Sequence, residues 1–513
     1  MSTPQTPTQV TPRRNAHGQQ PPRLRRRRNE YTYSPSRLGG LHDVHGVAAH
    51  YHLIQFIQVD DLRNQPGNRR TLLDSYSRDR GAILVDGTAI ADSSETDDEL
   101  RRIRNYPSGA QYSHITGYYS FIYGAGGGLE SSRDSVLAGT DDSLFYSRIA
   151  DMVTGTPPTG AALELTIDPD VQAAAESALG DRRGAVVALD PSTGAILAMV
   201  SHPTYDPNAL SSHNLTSVEE SYNALADDEG QPLTNRAIAG DLYPPGSVFK
   251  LVVAAAALES EEYTPDSILD GPQTYTLPGT TTELPNFEGG TCGPTDQVSL
   301  ADSIRVSCNT SMAALANDLG PTAIDEQAQK FGFEQDLSIP MAVTPSVYPN
   351  ELNDAQVALT GIGQYDVRVT PLQVAMTSAA IANDGKVMQP YLVESVRGSD
   401  LDVMSETRPN QLSSAVSDTT AQELTDMMVS VVDEGSGTAA ALPGVSVAGK
   451  TGTAEFGSNG AAHAWFTGFA PADDPQIAVA VIIESATDSW AGGSGGTLAA
   501  PAAQAVLQAG VGQ

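Results

Sequence analysis

Residues 184–208 read GAVVALDPSTGAILAMVSHPTYDPN. Two apolar runs flank Asp190-Pro191-Ser192-Thr193-Gly194, a cluster with the turn chemistry of an antiparallel hairpin. Just upstream, ALELTIDPDVQAAAESAL (residues 162–179) reads as a short strand, a turn at Asp168 to Asp170 and an amphipathic helix. Far downstream, VSVAGKTGTAEF (445–456), HAWFTGFAP (463–471) and QIAVAVIIES (476–485) read as three more strands. The stretch between, about 245 to 435, is largely helical in pattern, with Ala-rich runs such as LVVAAAALES. Strands at both ends of a domain around a helical middle predict an α+β fold, one antiparallel sheet of chain-distant strands with helices packed on it.

The chain has 513 residues, which predicts two or more domains and a sizeable core. Its net charge of −33 repels phosphate backbones and argues against nucleic acid as a partner. The surplus is uneven: residues 1–159 hold 17 acidic and 18 basic side chains, so the acidity lies in the remainder. Only four residues are lysine, Lys250, Lys330, Lys386 and Lys450. Two cysteines, Cys292 and Cys308, are too few for a disulfide framework or a four-thiolate zinc site. Their spacing alone leaves one bridge and two buried thiols as open alternatives.

Residues 1–37 are rich in Pro, Gln and Thr and then strongly basic, which reads as a disordered tail. Residues 38–59 have the length of a membrane span but contain Asp43, His42, His45, His50 and His52. A charge near a bilayer centre costs about 2.5–3.5 kcal/mol, so this segment is a poor span as written. The four histidines share no helical face, which argues against a metal site. Residues 60–158 mix short strand-like runs with Gly and Arg and predict a small accessory domain. TGTPPTGA, residues 154–161, is a Pro/Gly break, and residues 159–513 form the expected main domain.

The chemistry gathers in three short motifs. YPPGSVFKLVVAAAALE (243–259) puts Ser247 after a forced turn and Lys250 three residues on, sharing a helical face. A serine needs a base to become a nucleophile, and a lysine serves only if burial or another cation lowers its pKa. VSCNTS (306–311) supplies the Ser307 hydroxyl and the Asn309 amide, and AGKTGTAE (448–455) supplies Lys450 on a strand with Gly452. Each triplet alone is weak. Their order, and the presence of two of only four lysines within them, is the stronger signal.

Ser-x-x-Lys, Ser-x-Asn and Lys-Thr-Gly in this order resemble the penicillin-recognising serine enzymes. The likeness is greatest to class B penicillin-binding proteins, especially the compact actinobacterial penicillin-binding protein A group, and spans roughly residues 61–513. Further matching stretches are residues 80–83, Gly128-Leu129-Glu130, the hairpin at 184–208, Asn235-Arg236-Ala237 and residues 463–471.

The resemblance implies a transpeptidase domain behind a pedestal- or dimerisation-like domain, and a D,D-transpeptidase that cross-links peptidoglycan stem peptides, binds β-lactams and serves growth or division. It implies Ser247 as nucleophile, Lys250 as base, Ser307 as proton relay and Asn309 as a holder of substrate and Lys250. Lys450, Thr451, Gly452 and Thr453 would bind the substrate carboxylate end, with the Ser247 and Thr453 N–H groups as oxyanion hole. No metal or organic cofactor is implied. An oxidising, extracytoplasmic setting favours a Cys292–Cys308 bridge. The family also implies a single-pass membrane anchor at residues 38–59 and a membrane glycan polymerase as partner. The atypical anchor suggests a misread or altered start before about residue 53. The same motifs serve D,D-carboxypeptidases and β-lactamases, and a non-catalytic division scaffold is a further alternative; the accessory domain and the 143 residues from Ser307 to Lys450 favour the biosynthetic enzyme.

Overall fold

The computed structural model describes residues 73, 76–145, 149, 159–456, 461–484 and 494–512. The expected basic tail, the segment at 38–59 with its histidines, and most of the Pro/Gly break lie outside these residues. Among the described residues no helix is long and apolar enough to cross a membrane.

The chain opens with β1 (Ile83–Val85), β2 (Thr88–Glu95) and β3 (Arg102–Asn105). Asp86 and Gly87, at φ 48° and 69°, make the two-residue turn between β1 and β2 that an Asp-Gly pair favours. After β4 (Ala162–Leu165) comes α1 (Pro169–Leu179), where Pro169 follows an N-cap Asp168 that accepts from the Asp170 and Val171 N–H groups at 2.9 and 3.0 Å. The hairpin follows as β5 (Gly184–Leu189) and β6 (Ile196–His202). In its turn the Asp190 carboxylate accepts from the Ser192 N–H at 2.8 Å and the Thr193 hydroxyl at 2.7 Å. Helices α2 (Lys250–Glu259), α3 (Asn309–Lys330, broken at Gly320) and α4 (Pro371–Ala382) then precede β7 (Val393–Arg397) and β8 (Val403–Glu406). The chain ends with α5 (Asp418–Glu434), β9 (Ala448–Phe456), β10 (Ala461–Ala470), β11 (Ile477–Ile483) and α6 (Ala500–Gly510).

The hairpin and the three C-terminal strands form one antiparallel sheet of order β9-β10-β11-β5-β6, the α+β arrangement expected from the sequence. Side chains alternate between its faces. Val187, Leu189, Ala480 and Ile482 join the core that holds α2 and α4, and Val186, Ala188, Val479 and Val481 join the core that holds α1 and α6. Burial on both faces explains why these strands read as unbroken apolar runs. Helix α2 is buried all round from Lys250 to Leu258, so it has no polar face to show in its sequence.

Two features depart from the sequence reading. The middle is not only helical: residues 268–270 pair with 297–299, 274–276 with 283–285, and 386–388 with 411–414. These three- and four-residue ladders are mostly exposed and carry too short a pattern to be read. The second departure is a six-stranded sheet of order β8-β7-β4-β1-β2-β3 that runs across the expected break near residue 158. Its β1–β4 pair is parallel, and β7 and β8 come from far beyond that break in the chain.

Candidate active site

Ser247 sits in a short 3-10 turn, Gly246–Phe249, that runs directly into α2. It lines a cavity of roughly 670 Å³ together with Ser307, Asn309, Ser436, Thr451 and Thr453. The three motifs, 200 residues apart at the extremes, meet there. Lys250 and Lys450 lie beneath, both fully buried.

Helix α3 presents the second motif. Ser307, just before it, takes a left-handed φ of 60°, which a side-chain-bearing residue seldom adopts. The Asn286 side chain holds the helix start by accepting from the Asn309 and Thr310 N–H groups, each at 3.0 Å, and donates to the Pro272 and Gly290 carbonyls. Cys292 is disulfide-bonded to Cys308, so the loop carrying Asn286 is tied covalently to the motif. Sequence reading missed Asn286. Its signal is spatial, because it caps a helix from 23 residues away.

The Lys250 amine donates to the Ser307 carbonyl and to Asn309 Oδ1, both at 2.8 Å. The Lys450 ammonium donates to Ser307 Oγ at 2.8 Å and to the Thr451 carbonyl at 2.9 Å. Ser307 Oγ also lies 3.4 Å from Lys250 Nζ, so one hydroxyl bridges two amines. Burial, and then the neighbouring Lys450, pull Lys250 well below the usual lysine range. Burial pulls Lys450 down to about 7.

Strand β9 is the sheet edge that faces the cavity. Lys450, Gly452 and Ala454 point to one face, where a Cβ on Gly452 would come within 3.0 Å of Val248 and of Trp465. The glycine lets the strand lie close against the turn that carries Ser247. On the opposite face Thr451 shares a 2.6 Å hydrogen bond with Ser436, and Thr453 Oγ1 accepts from the Gly495 N–H at 3.4 Å. Ser436, another residue that sequence reading missed, lies between Gly435 and Gly437 just after α5, and nothing local signals that it meets Thr451. With its amide turned to satisfy both partners, Gln364 pairs with the Glu455 backbone, accepting at 3.0 Å and donating at 3.2 Å. Thr453 is two residues from Glu455, so its N–H and C=O also point outward from the sheet.

The arrangement is a serine hydroxyl in the cavity wall, two buried amines bridged by a second hydroxyl, and an edge strand with outward amide groups. A model of the penicillin binding protein transpeptidase domain matches residues 184–508, and one of the penicillin binding protein A dimerisation domain matches residues 80–163. The chain is 44% identical to the peptidoglycan D,D-transpeptidase PbpA of Mycolicibacterium smegmatis, over 89% of this chain and 94% of that one. It is 42% identical to the protein of the same name from Mycobacterium tuberculosis, over the same shares. The structure of penicillin-binding protein A from M. tuberculosis as an imipenem acyl-enzyme complex superimposes with a TM-score of 0.81 at 42% identity, over 86% of this chain and 100% of that one. The chain belongs to the class B penicillin-binding proteins. It is a serine-type peptidoglycan D,D-transpeptidase of cell wall synthesis.

Proposed function

We propose that Ser247 is the nucleophile and Lys250 its base. The observation that supports this most is the Ser307 hydroxyl between two fully buried amines, with Lys250 held by Asn309. In acylation Ser247 Oγ attacks the carbonyl of the penultimate D-Ala of a donor stem as Lys250 accepts its proton. The N–H groups of Ser247 and Thr453 hold the developing oxyanion, Ser247 contributing an N–H at the start of its 3-10 turn. The carbon–nitrogen bond then breaks, and the departing D-Ala amine takes a proton through Ser307. An acceptor amine attacks the ester, and the Ser247 oxygen leaves and recovers its proton. Lys450, Thr451, Thr453 and Ser436 receive the donor carboxylate.

On this reading β-lactams acylate the same serine. The chain works at the outer face of a membrane through an anchor upstream of the described residues, alongside a glycan polymerase. A labelled penicillin followed over time tests the assignment: stable label on Ser247, absent in Ser247→Ala, is expected. Rapid release of the label points instead to a β-lactamase, and no label on folded protein overturns the catalytic reading.

A further inference from the structure

A crevice of roughly 230 Å³ lies where the two parts of the chain meet, and it shares no lining residue with the cavity over Ser247. One wall is Arg133, from the stretch that matches the dimerisation domain. The other walls come from three segments of the transpeptidase domain, 338–340, 389–393 and 407–410, the last of which carries Arg408. No acidic side chain lines the crevice, although the chain holds 62 acidic residues against 29 lysines and arginines. Arg133 and Arg408 are exposed, and neither has an ion pair or a side-chain hydrogen bond among the described residues. The carboxylates around Arg133 are occupied. Asp134 pairs with Arg80 at 2.7 Å, and the Asp141 carboxyl, held low first by Ser143 and then by Ser135, feels the Arg133 charge least of its neighbours. Asp190 and Glu394 act on the Tyr391 hydroxyl, yet neither lines the crevice. The crevice is a positive spot on a strongly negative molecule.

The donors in the wall say which anion it suits. Phosphate sites gather free backbone N–H groups in a nest or at a helix start. Here the N–H groups of Ile339, Gln389, Tyr391 and Thr407 are already bonded, to the carbonyls of Met341, Asn410, Gly194 and Glu394 at 2.8–3.1 Å, and Pro340 and Pro390 have none. Side chains are left to do the binding. Two guanidinium forks match planar carboxylates through paired, parallel hydrogen bonds. Beside them Asn410 donates to Gln389 Oε1 at 3.3 Å, which leaves the Gln389 NH2 group to donate onward. The net charge of −33 sets the size of the ligand, because a broad acidic surface meets the repulsion of the whole molecule and a short segment meets only the local field.

We propose that this crevice binds a short peptide bearing two carboxylates, one held by Arg133 and the other by Arg408, and that the bound peptide ties the two parts of the chain together. Peptides attached to the wall polymer and soluble peptides share this chemistry. Calorimetric titration of the full chain with N-acetyl-Glu-Glu-amide tests it, with N-acetyl-Gln-Gln-amide as the uncharged control and excess penicillin present to keep the Ser247 cavity filled. The Glu-Glu peptide is expected to bind at least about tenfold more tightly than the control, and Arg133→Gln and Arg408→Gln each to weaken it about fivefold, the scale of partly exposed ion pairs. The double variant brings the two peptides level, added salt weakens the Glu-Glu peptide in wild type, and that peptide raises the wild-type Tm but not the Tm of the double variant. Retention on purified peptidoglycan that falls in the double variant assigns the polymer as the source, and retention that does not fall assigns a soluble peptide. Equal binding of the two peptides by wild type, or Glu-Glu binding unchanged in the double variant, overturns the assignment. Tripolyphosphate that binds more tightly than the Glu-Glu peptide and is lost in the double variant overturns the choice of carboxylate.

Discussion

Lys250 and Lys450 share one hydroxyl and compete for protons. Burial depresses both, and each ammonium disfavours the other, so the pair resists carrying two protons and keeps one amine free as base. Replacing Lys450 by Gln removes that charge and lets the Lys250 pKa rise. The acid limb of β-lactam acylation is expected to move to higher pH, read from acylation rates across pH; a limb that stays in place or moves down contradicts the coupling. The same burial affects stability. The Lys450 pKa falls from 10.5 unfolded to about 7 folded, so between those values the unfolded chain binds more protons. Its burial penalty is full below pH 7 and is relieved as pH climbs toward 10.5. Asn286 is a different case, a buried amide that accepts from two N–H groups at the start of α3. Asn286→Ala is expected to cost about 1–3 kcal/mol in denaturant unfolding and to lower acylation through Asn309. No change in either would remove Asn286 from its assigned role.

The chemistry depends on three elements meeting, and the closest packing is backbone on backbone. Gly363 has φ 68°, its carbonyl accepts from the Gly246 N–H at 2.9 Å, and a Cβ there would lie 2.0 Å from the Gly246 carbonyl oxygen. Gly363→Ala must push the turn carrying Ser247 away from its place. Acylation is expected to fall at least about tenfold, with about 1–3 kcal/mol of stability lost; near-wild-type penicillin labelling would show that the turn has slack. The Cys292–Cys308 bridge closes a 16-residue interval, worth about 3 kcal/mol by loop entropy, so reduction is expected to lower Tm clearly in paired thermal melts. These elements also show why legibility in the sequence was uneven. The hairpin, the C-terminal strands and the lysine motifs were readable because burial on both sheet faces and scarce lysines leave a mark in the chain itself. Asn286, Ser436 and Gln364 act on groups 15 to 91 residues away, and no local pattern records such a meeting.

At the scale of the molecule, the net charge of −33 makes self-repulsion a general cost. Salt screens it, so Tm is expected to rise between low ionic strength and about 0.5 M NaCl; a maximum in salt-free buffer would contradict this. The six-stranded sheet has a consequence of another kind. Strand β4 lies between β1 on one side and β7 on the other, and the cross-domain contacts continue at Asn208, whose side chain accepts from the Tyr106 N–H and donates to its carbonyl, both at 2.9 Å. A truncation starting at residue 159 would strip β1 from β4 and bare a row of unpaired amides beside apolar side chains. Such an edge recruits strands from other chains. For protein engineering, then, the enzyme is not a catalytic cartridge on a detachable stand: the seam between its parts is itself woven cloth, and a cut there is expected to yield aggregate rather than a smaller transpeptidase.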